Sequence, residues 1–198
     1  MRHLPGSLVV RYRYDFPLDV LITRFKYGGE LALAPVLAGL MAPPPLLVQQ
    51  SVTAALPGRQ TAMASPGTQT AMASPGKLAP PACRPWLVPV PSGRVRLQER
   101  GFDPTLLLAR CYARRFGLRV LPARRLREVP PQAGQGLAAR LQGPQGVFML
   151  PPVQGPVLLL DDVLTTGATL AALGRAVARA GATSVGAVVL AQTPAQGR

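Results

Sequence analysis

A chain of 198 residues with 48% apolar and only 15% charged side chains is long enough for one domain with a buried core, and it excludes a polyampholyte tail. The formal charge is +14, nearly all of it arginine because Lys26 and Lys77 are the only lysines; that balance favours nucleotides, phosphorylated sugars or nucleic acid as partners. Cys83 and Cys111 lack C-x-x-C spacing and His3 is the single histidine, which sets aside a zinc site, a disulfide framework and Ser-His or Cys-His chemistry.

Taken in chain order, SLVVRYRYDF alternates β-branched and aromatic residues with arginine and predicts an extended or hairpin segment. Pro17 then opens a helix whose apolar face is Leu18, Leu21, Ile22 and Phe25, ended by Gly28-Gly29. ELALAPVLAGLM predicts a second, weaker helix, and residues 1–41 form a small N-terminal segment. Residues 42–84 break the pattern: QTAMASPGT is followed at once by QTAMASPGK, from Gln60 to Lys77, between proline-rich flanks. Two such copies are too short for a solenoid, and Ala, Ser, Pro, Gly and Thr bury too little surface to offset ordering. A disordered, low-complexity insertion is expected there.

Residues 85–198 are expected to be the core domain. WLVPVP predicts a short buried strand, and SGRVRLQERGF after it reads as a basic loop. Asp103-Pro104 supplies an N-cap and a first-turn proline for a helix through Leu106, Leu107, Arg110, Cys111 and Ala113 to Gly117. LRVLPA predicts a strand, RRLREVPPQAGQG a long exposed loop, and GVFML a further strand. PVLLL is a continuous apolar run, as in a strand covered on both faces. DDVLTTGAT reads as the turn after it, Leu170, Leu173 and Val177 mark an alanine-rich helix stopping at Gly181, and SVGAVVLAQ is the next strand. That succession is a βαβ unit, so the fold class is α/β with a mainly parallel twisted sheet and flanking helices. No apolar run reaches the roughly 18 residues of a membrane span, and no signal peptide opens the chain. A cytoplasmic protein without membrane insertion is expected.

The string VLLLDDVLTTGAT carries the chemistry. Ligands of parallel sheets sit beyond the carboxyl ends of strands. The loop leads into a helix N-terminus, where unpaired amides and the helix dipole welcome an anion. Gly167 lets the backbone approach a ligand closely, and Thr165, Thr166 and Thr169 add hydroxyls. This is a phosphate cradle without a Walker lysine. Asp161 and Asp162 cannot bind phosphate; they can accept sugar hydroxyls, or hold a Mg²⁺ that also touches phosphate oxygens. A phosphate cradle beside acceptors for two vicinal hydroxyls describes a ribose 5-phosphate site.

The string resembles the phosphoribosyl diphosphate (PRPP) motif of type I phosphoribosyltransferases. That resemblance implies ribose contacts from Asp161 and Asp162, and 5-phosphate contacts from Thr165, Thr166, Gly167, Ala168 and Thr169. It also implies Mg²⁺ as cofactor with PRPP. Purine-salvage members often carry an acid where Thr165 stands, which counts against hypoxanthine-type salvage. PLDVLITRFKYGGE, LVPVPSGRVRLQERGFD and the C-terminal DDVLTTGATL…AGATSVGAVVLAQT together resemble the ComF family, whose members are linked to DNA uptake in competent bacteria. The match runs from about Asp15 to Met41 and from Trp86 to Thr193. By this resemblance residues 1–41 act as a hood over the acceptor, and the partners include single-stranded DNA and a DNA-translocation helicase. Many members begin with a zinc ribbon; this chain has none, and no zinc is expected in it. The usual RGFN is RGFD here, Val129 replaces a threonine in the R-x-x-T-x-x-Q loop that keeps Gln132, and Gly143 replaces an asparagine.

Between Arg84 and Arg140 twelve arginines face three acids, Glu99, Asp103 and Glu128. In the type I family the loop after the first core strand faces the diphosphate, so Ser92, Gly93, Arg94, Arg96 and Arg100 are candidates; the arginine fork makes paired, charge-assisted bonds to phosphate. Arg100 could equally pin the loop to the following helix. Three functions compete: phosphoribosyl transfer, with no catalytic base assignable; a non-catalytic module that keeps the nucleotide pocket while binding single-stranded DNA or a partner; and, last, a Mg²⁺-dependent nuclease.

Overall fold

The computed structural model describes residues 6–45, 84–126 and 146–194. The expected duplication at 60–77, and the stretch holding Val129, Gln132, Arg140 and Gly143, lie outside the described residues. Five strands form one parallel sheet in the order β1-β7-β6-β2-β3. They are β1 (Ser7–Arg13), β2 (Trp86–Pro89), β3 (Arg119–Val120), β6 (Gly155–Leu164) and β7 (Ala182–Gln192). A separate antiparallel pair joins β4 (Arg124–Arg125) to β5 (Phe148–Met149). The helices are α1 (Leu18–Tyr27), α2 (Leu33–Leu40), α3 (Arg94–Arg100), α4 (Pro104–Phe116) and α5 (Ala168–Arg179). The expected α/β class with a mainly parallel sheet and flanking helices is therefore what the chain forms.

Alternation along the central strands builds two cores. Leu158 and Leu160 of β6, with Leu87, Val188 and Leu190, pack against α1, α2 and α4 through Ile22, Phe25, Leu37, Leu108 and Tyr112. Val157 and Leu159, with Val88, Ala187 and Val189, pack against α5 through Leu170, Leu173 and Val177. A strand buried on both faces needs no polar alternation, which is why PVLLL reads as an unbroken apolar run. The buried Tyr112 hydroxyl donates to the Ala42 carbonyl at 2.9 Å, and Ala42 belongs to the first core.

Several expectations change. Of the two readings of SLVVRYRYDF, the extended one holds and the hairpin does not among the described residues: β1 is a single strand lying parallel to β7, so the N-terminal segment contributes an edge of the main sheet. The basic stretch after β2 is not a loop but α3, closed by Gly101 at φ 72. Its Arg, Leu, Gln and Glu are good helix formers, and its charge obscured that. β3 keeps only two residues of LRVLPA, and GVFML joins the small antiparallel pair rather than the main sheet. No helix among the described residues is long and apolar enough to cross a membrane.

The strand order places the site. From β2 the chain crosses through α3 and α4 to β3 on one side; from β6 it crosses through α5 to β7 on the other. Neighbouring parallel strands whose connections leave in opposite directions open a crevice at their carboxyl ends, where ligands of such sheets bind.

Candidate functional site: a cavity at the β2–β6 switch point

A cavity of about 340 Å³ occupies that crevice. One rim is the end of β6 and the start of α5: Asp161, Asp162, Thr165, Gly167, Ala168 and Thr169 line it. The other rim comes from the β2–α4 connection, with Ser92, Gly93, Arg96, Arg100 and Thr105. Lys26 of α1, Tyr14, Arg125 and Thr193 also line it. Of the residues expected from sequence, Thr166 and Arg94 do not line the cavity. Thr166 is exposed, and its hydroxyl accepts from the Ala168 amide at 3.4 Å; Arg94 is exposed at the first turn of α3.

The β6 rim corrects the sequence reading in one respect. Asp161 and Asp162 lie within the strand, not in a turn, because β6 stays paired with β7 as far as Leu164↔Gln192. The turn proper is Thr165-Thr166-Gly167. Gly167 takes φ 75, a left-handed conformation that glycine adopts without a Cβ penalty. It sits at the N-cap of α5 and has no side chain to cap it; the Thr166 hydroxyl meets only the Ala168 amide. The first-turn amides of a helix have no intrahelical acceptor, and here Ala168, Thr169 and Leu170 line the cavity. The Thr169 and Leu170 amides, a positive dipole end and threonine hydroxyls make an anion cradle at one wall.

The two acids differ in their surroundings. Asp162 is buried at 4% exposure. Lys26 donates to its Oδ1 at 2.9 Å and stands 2.8 Å from its Oδ2, on which no donor is aligned. Asp161 is partly open to the cavity, and its Oδ1 accepts the Asp162 amide at 2.9 Å. Enclosure by the strand ends, and then the neighbouring Asp162 anion, push the Asp161 carboxyl up to about 8, against the pull of Lys26 and Arg125. Its open face to the cavity tempers that push.

The opposite rim is held by side-chain contacts. Asp103 caps α4, accepting from the Thr105 and Leu106 amides at 3.0 and 3.2 Å. The same carboxylate accepts the Ser92 amide at 3.1 Å and the Ser92 hydroxyl at 3.2 Å, which ties the β2–α3 turn to the next helix. The Arg100 guanidinium lies over the Tyr27 ring at 4.3 Å, and its Nε is buried without a hydrogen-bond acceptor. Arg100 thus pins α3 to α1, not to the following helix as the structural reading of the sequence has it, and it also lines the cavity. Arg96 and Arg125 add positive charge to the same space.

A divalent cation has limited means of binding here by protein alone. Asp162 is already matched by Lys26, and no group of three His, Cys, Asp or Glu side chains occurs among the described residues. Asp161 has an oxygen to share with an ion that brings phosphate ligands of its own, the usual manner of Mg²⁺.

Sequence reasoning missed Lys26, Tyr14, Thr105, Arg125 and Thr193 as lining residues. Lys26 lies 136 residues from its partner; the one available signal was that it is one of only two lysines in an arginine-rich chain.

Residues 154–198 match the family model of the phosphoribosyl transferase domain. No curated protein matches the chain. Among solved structures the chain resembles orotate phosphoribosyltransferase from Aeropyrum pernix at 19% identity. That match covers 57% of this chain and 62% of the other, with a TM-score of 0.34, too low to equate the two folds. The similarity to a phosphoribosyl transferase domain is therefore carried by β6, α5 and β7, the unit that holds Asp161, Asp162 and the Thr165–Thr169 loop.

Proposed function

We propose that the chain binds PRPP or a ribose 5-phosphate nucleotide, and that it transfers the phosphoribosyl group. One observation carries the reading: an uncapped helix N-terminus begun by Gly167 and a partly open Asp161 face one cavity at the switch point of the sheet. The match of residues 154–198 to a phosphoribosyl transferase domain supports it. The 5-phosphate would lie against the α5 amides and the Thr165 and Thr169 hydroxyls. The ribose hydroxyls would meet the aspartate side. The diphosphate would extend toward Ser92, Gly93, Arg96 and Arg100.

In transfer, the bond from ribose C1 to the diphosphate oxygen breaks and a bond from C1 to the acceptor forms. Arg96 and Arg100 would stabilise the leaving charge from fixed positions. Asp161, in its ionised form, favours positive charge developing on the ribose ring. A Mg²⁺ carried on the diphosphate and touching Asp161 would supply further neutralisation of the leaving group. Lys26 keeps Asp162 from adding an uncompensated negative charge.

Calorimetric titration with PRPP, in the presence and absence of Mg²⁺, tests the reading. Saturable binding that is lost in the Asp161→Asn, Asp162→Asn double variant is expected; unchanged affinity in that variant would remove the ribose assignment. The resemblance to ComF leads us to place this activity in DNA uptake, with single-stranded DNA and a translocating helicase as partners. DNA binding of that kind weakens steeply with salt; binding that ignores salt, or full transformation with the double aspartate variant, contradicts the placement.

A further inference from the structure

Asp161 and Asp162 are neighbours in sequence but belong to opposite faces of β6. Leu158 and Leu160 pack on the α1 side, and Asp162 follows them in alternation. It meets Lys26 there, through a contact whose two side chains are 20% and 6% exposed. Asp161 follows Val157 and Leu159 on the α5 side, toward the helix that carries the cradle. One of its oxygens is occupied by the Asp162 amide, and the carboxylate remains partly open to the cavity.

We propose that Lys26 divides the labour of the two aspartates, holding Asp162 as a fixed, buried partner and leaving Asp161 alone to read the sugar hydroxyls. The proposal rests on the ribose 5-phosphate reading of the pocket. A buried carboxylate matched by an ammonium cannot swing to a ligand without leaving a charge uncompensated, and that costs more than one sugar hydrogen bond returns. Asp161 carries no such constraint. Its remaining oxygen has two lone pairs, enough to accept both hydroxyls of a vicinal diol. Lys26 is then a positioning residue that holds Asp162 away from the ligand: with it in place, a single carboxylate distinguishes ribose from deoxyribose.

The test compares ribose 5-phosphate with 2-deoxyribose 5-phosphate by calorimetry on the full chain. Wild type is expected to prefer ribose by about tenfold or more, the value of one charge-assisted hydrogen bond. Asp161→Asn, nearly isosteric and facing the cavity, is expected to bring that ratio near one. The double variant Lys26→Met, Asp162→Leu removes both buried charges together, and it is expected to keep the ratio within about threefold of wild type. Were Asp162 also reading the sugar, both variants would lose the ratio. Collapse of the ratio in a double variant that unfolds at a temperature near wild type overturns the proposal. So does retention of the ratio in Asp161→Asn, which decides the matter even where the double variant fails to fold. If wild type binds ribose 5-phosphate no better than inorganic phosphate, the pocket reading itself falls and the proposal with it. If wild type discriminates and only the double variant fails to, the division of labour alone is wrong.

Discussion

The two rims of the cavity are built in different ways. The β6–α5 rim is one continuous stretch, Asp161 to Leu170, and much of its binding capacity is backbone: a glycine at φ 75 and the uncapped first turn of a helix. The facing rim is assembled from α1, the β2–α3 turn and the ends of α3 and α4. It is held by the Lys26–Asp162 pair, the Arg100–Tyr27 stack and the four bonds to Asp103. A rim made by one strand and one helix survives most side-chain changes. A rim made by long-range side-chain contacts should fail contact by contact.

The largest effect is expected at Lys26. Lys26→Met leaves Asp162 buried and unmatched, and should cost about 3–5 kcal/mol of stability by denaturant unfolding. Adding Asp162→Leu should recover most of that loss; no recovery would mean that the unmatched Asp162 charge is not its cause. Asp103→Ala should follow, at about 2 kcal/mol, because one carboxylate both caps α4 and anchors Ser92. Its effect on phosphate-ligand affinity should exceed that of a cap variant elsewhere.

On the continuous rim, Gly167→Ala should cost about 1–2 kcal/mol, since the left-handed backbone penalises a Cβ. Calorimetry should show ribose 5-phosphate and inorganic phosphate weakened alike.

A pH series sharpens the contrast. Enclosure by the strand ends, and then the Asp162 anion, push the Asp161 carboxyl up to about 8 from its ordinary 3.8. A hydroxyl-bearing ligand favours the ionised form, so affinity for ribose 5-phosphate should rise with pH toward about 8 and flatten above it. One proton limits the slope to about tenfold per pH unit. Asp161→Asn should abolish the part of that rise above pH 7. The sign for stability is opposite. An acid whose folded value is raised contributes most below its unfolded value and loses that contribution as pH rises toward 8, so Asp161→Asn should raise the Tm at pH 8. The smallest effect is expected from Tyr27→Leu, about 0.5–1 kcal/mol for an exposed cation–π contact, read as a modest loss of diphosphate affinity.

The same contrast explains what could be read from the sequence. The βαβ unit was legible because its strand, loop glycine, helix and strand follow each other within one stretch. The Asp103-Pro104 start of α4 was legible for the same reason, the cap being a contact over two or three residues. Helix α3 was not, because RVRLQER has no buried residue and so no apolar period to reveal it. The extension of β6 through the aspartates depends on β7, more than twenty residues later. Lys26, Tyr14 and Arg125 reach the cavity only through the tertiary fold, and no spacing rule connects them to Asp161.

A crystal structure of the chain grown with ribose 5-phosphate tests the central claim most directly. The account predicts the phosphate oxygens within about 2.7–3.2 Å of backbone amides in the Gly167–Leu170 turn, and the ring hydroxyls on the Asp161 carboxylate. A phosphate bound instead among Arg96, Arg100 and Arg125, with the α5 amides empty and Asp161 untouched, would contradict it.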